Sequence, residues 1–317
     1  VEATAGDVAA AFTYDALDRV TQMTRTLPDG STQALAYAYD PAGRKAAVAI
    51  AQDFDPQAPE FDSTATYTHD ALGRITAVSM DGIEKVRYHY DPQSLRLTMK
   101  EFASGAKVAY NYDMHGRPTE IAILSADATL RRVGYEWNRL GQLASRTLEG
   151  FGIPTDESKV TQAAFTGFGA DSVTQTYVYD ALGRLAEVVC PAAPSLAESY
   201  SYDASGNITR KQVGGKVTTM TYDLANQLAT RTVEGLGEWT YEYDRAGRMI
   251  RELAPDNATA KSFTYGYLDK VLAVAEGGTE IARFDYGADG LLAAKTKDGA
   301  TTPWLWDGIA LAARGAE

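Results

Sequence analysis

The histidines, the single cysteine and one run of carboxylates are the residues whose types could do chemistry. A zinc site takes His and Cys at short ligand spacings, and a helical pair sits three or four residues apart. His69, His89 and His115 show no such spacing, and Cys190 lies far from all three. Asp53, Asp55, Glu60 and Asp62 invite a calcium reading, but the run lacks the turn glycine and the closing bidentate Glu of a calcium loop. No G-x-S-x-G, phosphate-binding loop or H-E-x-x-H occurs. Asn207-Ile-Thr209 and Asn257-Ala-Thr259 fit the glycosylation pattern, the first of them inside a turn. We therefore expect no catalytic residue, no cofactor site and no metal site.

What recurs is Tyr, Asp, Gly and Arg. Laying the chain against itself aligns TYVYDALGRLAEV from Thr176, TYTHDALGRITAV from Thr66, YEYDRAGRMIREL from Tyr241 and YNYDMHGRPTEI from Tyr110. Weaker copies bring the total to thirteen, anchored on the residue before the Asp: Tyr14, Tyr39, His69, Tyr90, Tyr112, Trp137, Tyr179, Tyr202, Tyr222, Tyr243, Tyr267, Tyr286 and Trp306. Most anchors lie 19 to 25 residues apart, with gaps of 30 before His69 and 42 before Tyr179. Of 32 aromatic residues, 24 fall at an anchor or two residues before it, so the aromatics belong to the repeat.

Aromatics at i and i+2 mark a strand. The following D-x-x-G is a turn: Asp at i bonds backbone amides, Pro41 and Pro92 fill i+1, and Gly at i+3 supplies a positive φ. Asp18 and Asn226 stand in that glycine column and tolerate the same conformation. A second strand then runs to a looser turn such as Asp29-Gly30, Asp81-Gly82, Gly214-Gly215, Gly277-Gly278 or Asp298-Gly299. A lone hairpin is barely stable, so the units must pair edge to edge. The expected fold is all-β: a continuous antiparallel ribbon of about thirteen hairpins curling into an open barrel or hollow shell. About 26 strands at about 4.8 Å each give a ribbon of roughly 125 Å, enough to encircle a small domain.

Composition sets the outer limits. The chain has 317 residues, 45% hydrophobic and 23% charged, and no apolar run long enough for a membrane-spanning helix. Its net charge of −12 argues against nucleic-acid binding, which needs clustered Lys and Arg, and against anionic lipid. One cysteine makes no internal disulfide. Val1 to Ala11 lack the layout of a signal peptide, and the chain opens almost directly into a repeat, as an excised segment would.

The motif Y-x-Y-D-x-x-G-R-[LI] resembles the YD repeat of the Rhs family over nearly the whole chain. That resemblance implies a non-catalytic shell or scaffold segment of a secreted or cell-surface protein, encapsulating or presenting a cargo such as a toxin domain. Partners would be that cargo or further shell segments of the same protein. The alternative is an adhesive or carbohydrate-binding extracellular module, since relatives include adhesion proteins and the tyrosine faces could stack on sugars. Thr301 to Gly308 resembles the W-D-G unit that precedes the family's core segment. No position matches the self-cleaving residues of that core or any toxin chemistry, so none is carried over. We expect the array to run as one domain over 1–317, interrupted by an insertion over 149–171. With Phe151, Phe165 and Phe168 among its glycines, that insertion is the candidate partner contact.

Overall fold

A computed structural model describes residues 2–5, 8–125, 129–150, 172–256, 259–266, 269–287, 290–307 and 310–314. Twenty-seven strands fill most of this length, and a single 3₁₀ turn, Pro194–Leu196, is the one helical element among the described residues. The chain divides into two compact units, residues 1–86 with 242–317, and residues 87–241. Within each, successive strands pair antiparallel in chain order. The all-β antiparallel ribbon of hairpins expected from the repeat is the fold observed.

The strand from Val173 to Tyr179 and its partner Leu185–Val189 show how one repeat becomes a hairpin. Tyr177 faces Val188 and Val178 faces Glu187, then a bulge puts Tyr179 opposite Leu185. The turn closes by Gly183 N–H to the Asp180 carbonyl and Asp180 N–H to the Arg184 carbonyl, both 2.9 Å. Gly183 has φ +78°. This is a type I turn followed by a left-handed residue in a bulge, the usual three-residue hairpin connection. The same column is left-handed at Asp18, Gly43, Gly73, Gly116, Gly141, Gly206, Asn226, Gly247 and Gly290.

Two units depart from the expected alignment. Near the C-terminus the anchor is Tyr265, not Tyr267: Tyr265 pairs with Val271, Gly266 opens the turn, and Asp269 closes it at φ +55°. Gly and Asp have exchanged places, which the backbone accepts because Asp is among the residues that enter the left-handed region. In the unit after Tyr90 the turn is one residue longer, so Leu95 takes φ +60°. A branched side chain is strained in that conformation, so Leu95→Gly is expected to raise stability against urea by up to about 1 kcal/mol.

The far turns are tighter than the sequence suggested. Asp81-Gly82, Gly214-Gly215, Gly277-Gly278 and Asp298-Gly299 have both residues at positive φ. They are two-residue type I′ turns, whose twist matches that of paired strands.

Burial differs sharply between the two units. In the first, Met23, Leu35, Val48, Ile50 and Leu305 form a core, with Phe12, Tyr37 and Tyr67 packed on it. Leu305, from the last tryptophan-bearing repeat, thus lies on the aromatic face of the first hairpins. Ala34 and Ala51 are covered on the other face by Phe54, with Phe61 beside it. The carboxylates of that 30-residue gap serve the loop itself: Asp62 accepts the Gln52 amide and Asp55 that of Gln57. In the second unit, the four strands from Glu198 to Val233 contain no buried residue at all. A small cluster of Val173, Cys190 and Ala193 with Leu196 is the only core cluster among its described residues. Elsewhere the described residues of this unit form a single layer of sheet.

Candidate functional site

The repeated residues converge on one structure, a ladder that wires each hairpin to the next. Asp180 is its foot. Its Oδ1 accepts the amides of Leu182 and Arg184, both at 2.9 Å, and its Oδ2 accepts Arg184 Nε at 2.7 Å. The pattern repeats at Asp15–Arg19, Asp40–Arg44, Asp70–Arg74, Asp113–Arg117 and Asp244–Arg248. One carboxylate therefore shapes the turn and fixes its arginine.

The arginine, so held, reaches forward. Arg184 lies 4.4 Å from the ring centroid of Tyr202, the anchor of the following repeat, and its NH1 donates to the Asp203 carbonyl. Arg19 sits equally close over Tyr39, and Arg248 lies 5.1 Å from Tyr265. A guanidinium over an aromatic ring is attracted by the ring quadrupole, and here its plane is already oriented by the Asp.

The anchor reaches back. Tyr202 Oη donates to the Leu185 carbonyl at 2.6 Å, Tyr39 to Val20 at 2.8 Å and Tyr222 to Ile208 at 2.9 Å. Where the anchor is Trp the indole N–H does the same: Trp137 to Pro118 and Trp306 to Leu292. The anchor column thus needs an aromatic with a polar handle. Two residues earlier no such bond is required, and Phe12, Met220, Phe263 and Phe284 are accepted there. Removing one hydroxyl by Tyr202→Phe is expected to cost about 1 kcal/mol in urea unfolding, leaving the sheet intact.

The turn carboxylates carry a pH signature. At Asp40, Asp180 and Asp244 the amide of the paired arginine, more than its guanidinium, holds the carboxyl below the usual range, against a smaller opposing effect of desolvation. A depressed carboxyl adds stability that is fully present above its unfolded pKa of about 3.9 and is lost as pH falls through the folded value. The urea midpoint should therefore stay flat with respect to these groups from pH 7 to about pH 5, and fall once pH drops below about 4.

The remaining candidates are absorbed into this framework or lie outside it. His69 occupies an anchor position opposite Ile75, His89 contacts Glu101 at 3.2 Å, and His115 is exposed in a turn. Among the described residues no three His, Cys, Asp or Glu side chains group as metal ligands. Asn207 stands in the arginine column, its side-chain amide donating to Asp203 and Asn226. Asn257, Phe151, Phe165 and Phe168 lie outside the described residues. No tyrosine with a described side chain is buried: Tyr14 is exposed and the others are half-covered. What the sequence reading missed is the forward reach of the arginine. Its only trace is that Arg recurs five residues after its own anchor, as at Arg19, Arg44, Arg74, Arg117, Arg184 and Arg248.

Comparison with known proteins agrees with this geometry. Residues 155–301 match the family model described as Teneurin YD-shell. The chain is 30% identical over 185 residues, 56% of its length, to the double-stranded DNA deaminase toxin A of Burkholderia cenocepacia (strain H111). It is 24% identical over 195 residues, 62% of its length, to the tRNA3(Ser)-specific nuclease WapA of Bacillus spizizenii. The chain spans only 12% and 7% of those two proteins. Among solved structures it resembles TcdB2-TccC3-TEV, with a TM-score of 0.50 and 12% identity, over 96% of this chain and 19% of that one. At such identity the likeness speaks for the fold alone. Repeat motif, turn geometry and these matches lead to one conclusion: the chain is an array of YD-type repeats, similar over residues 155–301 to the Teneurin YD-shell family.

Proposed function

We propose that the chain is a non-catalytic shell segment of a secreted or surface Rhs-type protein, a single array over 1–317 that encloses a cargo domain. The observation that carries this reading is the single-layer sheet of residues 87–241. An ordinary β-domain covers one face of its sheet with a second layer. Here whole strands lack a buried residue, and Tyr, Asp and Arg hold hairpin to hairpin without one. The conspicuous residues are thus occupied in building the wall, which supports a structural rather than a catalytic role. In the same reading the 149–171 insertion, with Phe151, Phe165 and Phe168, is a partner-contacting loop. Deleting 152–169 should then leave the fold intact.

The test is protection of a cargo. A folded reporter of about 100 residues, joined after Glu317, should be cleaved by thermolysin several-fold more slowly than the free reporter. Equal cleavage would overturn enclosure. The adhesive or carbohydrate-binding reading would gain from reproducible binding on a glycan array that is lost when half-exposed tyrosines are replaced.

A further inference from the structure

The two faces of the sheet in residues 87–241 treat their charges differently. Register places Lys100, Arg146, Lys211 and Arg231 on the same face as the tyrosines: Lys211 pairs with Tyr200, Arg146 with Tyr135 and Arg231 with Trp239, while Lys100 lies against Val108. None of these four pairs with a carboxylate among the described residues. Lys100 sits 5.9 Å from the Tyr88 ring and 5.8 Å from that of Tyr110, Lys211 5.5 Å from Tyr200, and Arg231 4.6 Å from Trp239. Arg146 bonds the neutral Gln175. Glu198 is on this face too, but it is engaged by the Tyr200 hydroxyl.

On the opposite face two bases have acid partners, while Arg210 bonds the neutral Gln212. Lys107 bridges to Glu101 at 3.0 Å, and Arg132 to Glu149 and Glu120. The chain as a whole is strongly acidic, with a net charge of −12. Each of these half-buried cations without a carboxylate partner is therefore a local feature, and beyond about 10 Å salt screens it from the distant acidic residues.

We propose that the aromatic face of residues 87–241 docks an acidic polypeptide segment. Charge complementarity calls for an anion. The rings decide which kind, because the cations already sit over Tyr88, Tyr110, Tyr200 and Trp239. A nucleic-acid base or a pyranose ring needs an open aromatic face to stack on. A carboxylate side chain needs only the outward ammonium or guanidinium. This deepens the shell reading by giving the chemistry of the partner that lies against the wall. The assay below requires no cargo, so its failure and a failure of reporter protection are separate results.

The experiment is fluorescence anisotropy of the 317-residue chain with a labelled deca-glutamate peptide, beside oligo-lysine, oligo-uridine and an oligo-uronate of matched charge. Deca-glutamate should bind, weaken as salt rises, and lose at least about tenfold in affinity with K100Q/R146Q/K211Q/R231Q. K107Q/R132Q, on the other face, should bind as the parent does. The pair K100Q/K211Q, with an unchanged far-UV spectrum, should show an intermediate loss if the fourfold change harms folding. Absence of deca-glutamate binding, equal binding by the fourfold variant, or tighter binding of oligo-uridine or oligo-uronate would each overturn the proposal.

Discussion

Leu305→Ala should lower the stability of the chain by about 3 kcal/mol, the largest effect expected of any single truncation here. Leu305 is fully buried and meets Met23, Leu35, Val48 and Ile50, residues more than 250 positions away in the chain. The lost side chain therefore leaves a cavity lined by those four apolar groups. Polar contacts reinforce the seat: Lys45 Nζ lies 2.5 Å from Asp307 Oδ1, and buried Arg25 donates to the Trp304 carbonyl. Burial first, and then the charge of Asp307, push the Tyr37 hydroxyl upward, placing that ring in the same joint. Leu305→Met, which keeps the volume, should cost less than about 1.5 kcal/mol. Leu236→Ala, at an exposed turn, should stay within about 0.5 kcal/mol of the parent. Urea midpoints at constant slope distinguish the three, and a Leu305→Ala midpoint equal to that of Leu236→Ala would remove the joint from the account.

Gly183→Val is expected to cost about 2 kcal/mol or more. At φ +78° a β-branched residue is a steric outlier, and an added Cβ would also approach Gln142 Nε2 at 3.3 Å. Gln142 donates to the Gly183 carbonyl, so crowding there also disturbs the link from the preceding hairpin. Gly183→Asn should cost much less, since Asn226 holds the same column at φ +59° two repeats further on. Equal midpoints for the Val and Asn variants would show that the turn relaxes into another shape.

The sequence was legible wherever a local rule acted within one repeat. The period-two aromatics, the Asp that opens the turn and the left-handed column are all satisfied by residues a few positions apart, and they appear where expected. Legibility ended where contacts join distant segments. No spacing rule connects Leu305 to Leu35, or marks Phe54 and Phe61 as the cover for Ala34 and Ala51. In the stretch Tyr265-Gly-Tyr-Leu-Asp the sequence reading put the anchor at Tyr267, whereas the backbone puts it at Tyr265, with Gly266 in place of the usual Asp. Of the candidate site, the identities were readable, while the forward stacking of Arg184 on Tyr202 depended on pairing between repeats.

A shell wall requires residues 87–241 to be one layer of sheet, open on its aromatic face. Hydroxyl-radical footprinting reads this directly at the tyrosines. With each rate divided by the intrinsic reactivity of its residue type, Tyr110, Tyr135, Tyr177 and Tyr200, all half-buried, should show protection comparable to one another and only modestly above that of exposed turn residues such as Leu140 and Leu182. Protection of these four tyrosines to the level of buried Leu35 and Leu305 would contradict the account, because it would place them in a dry core between two layers.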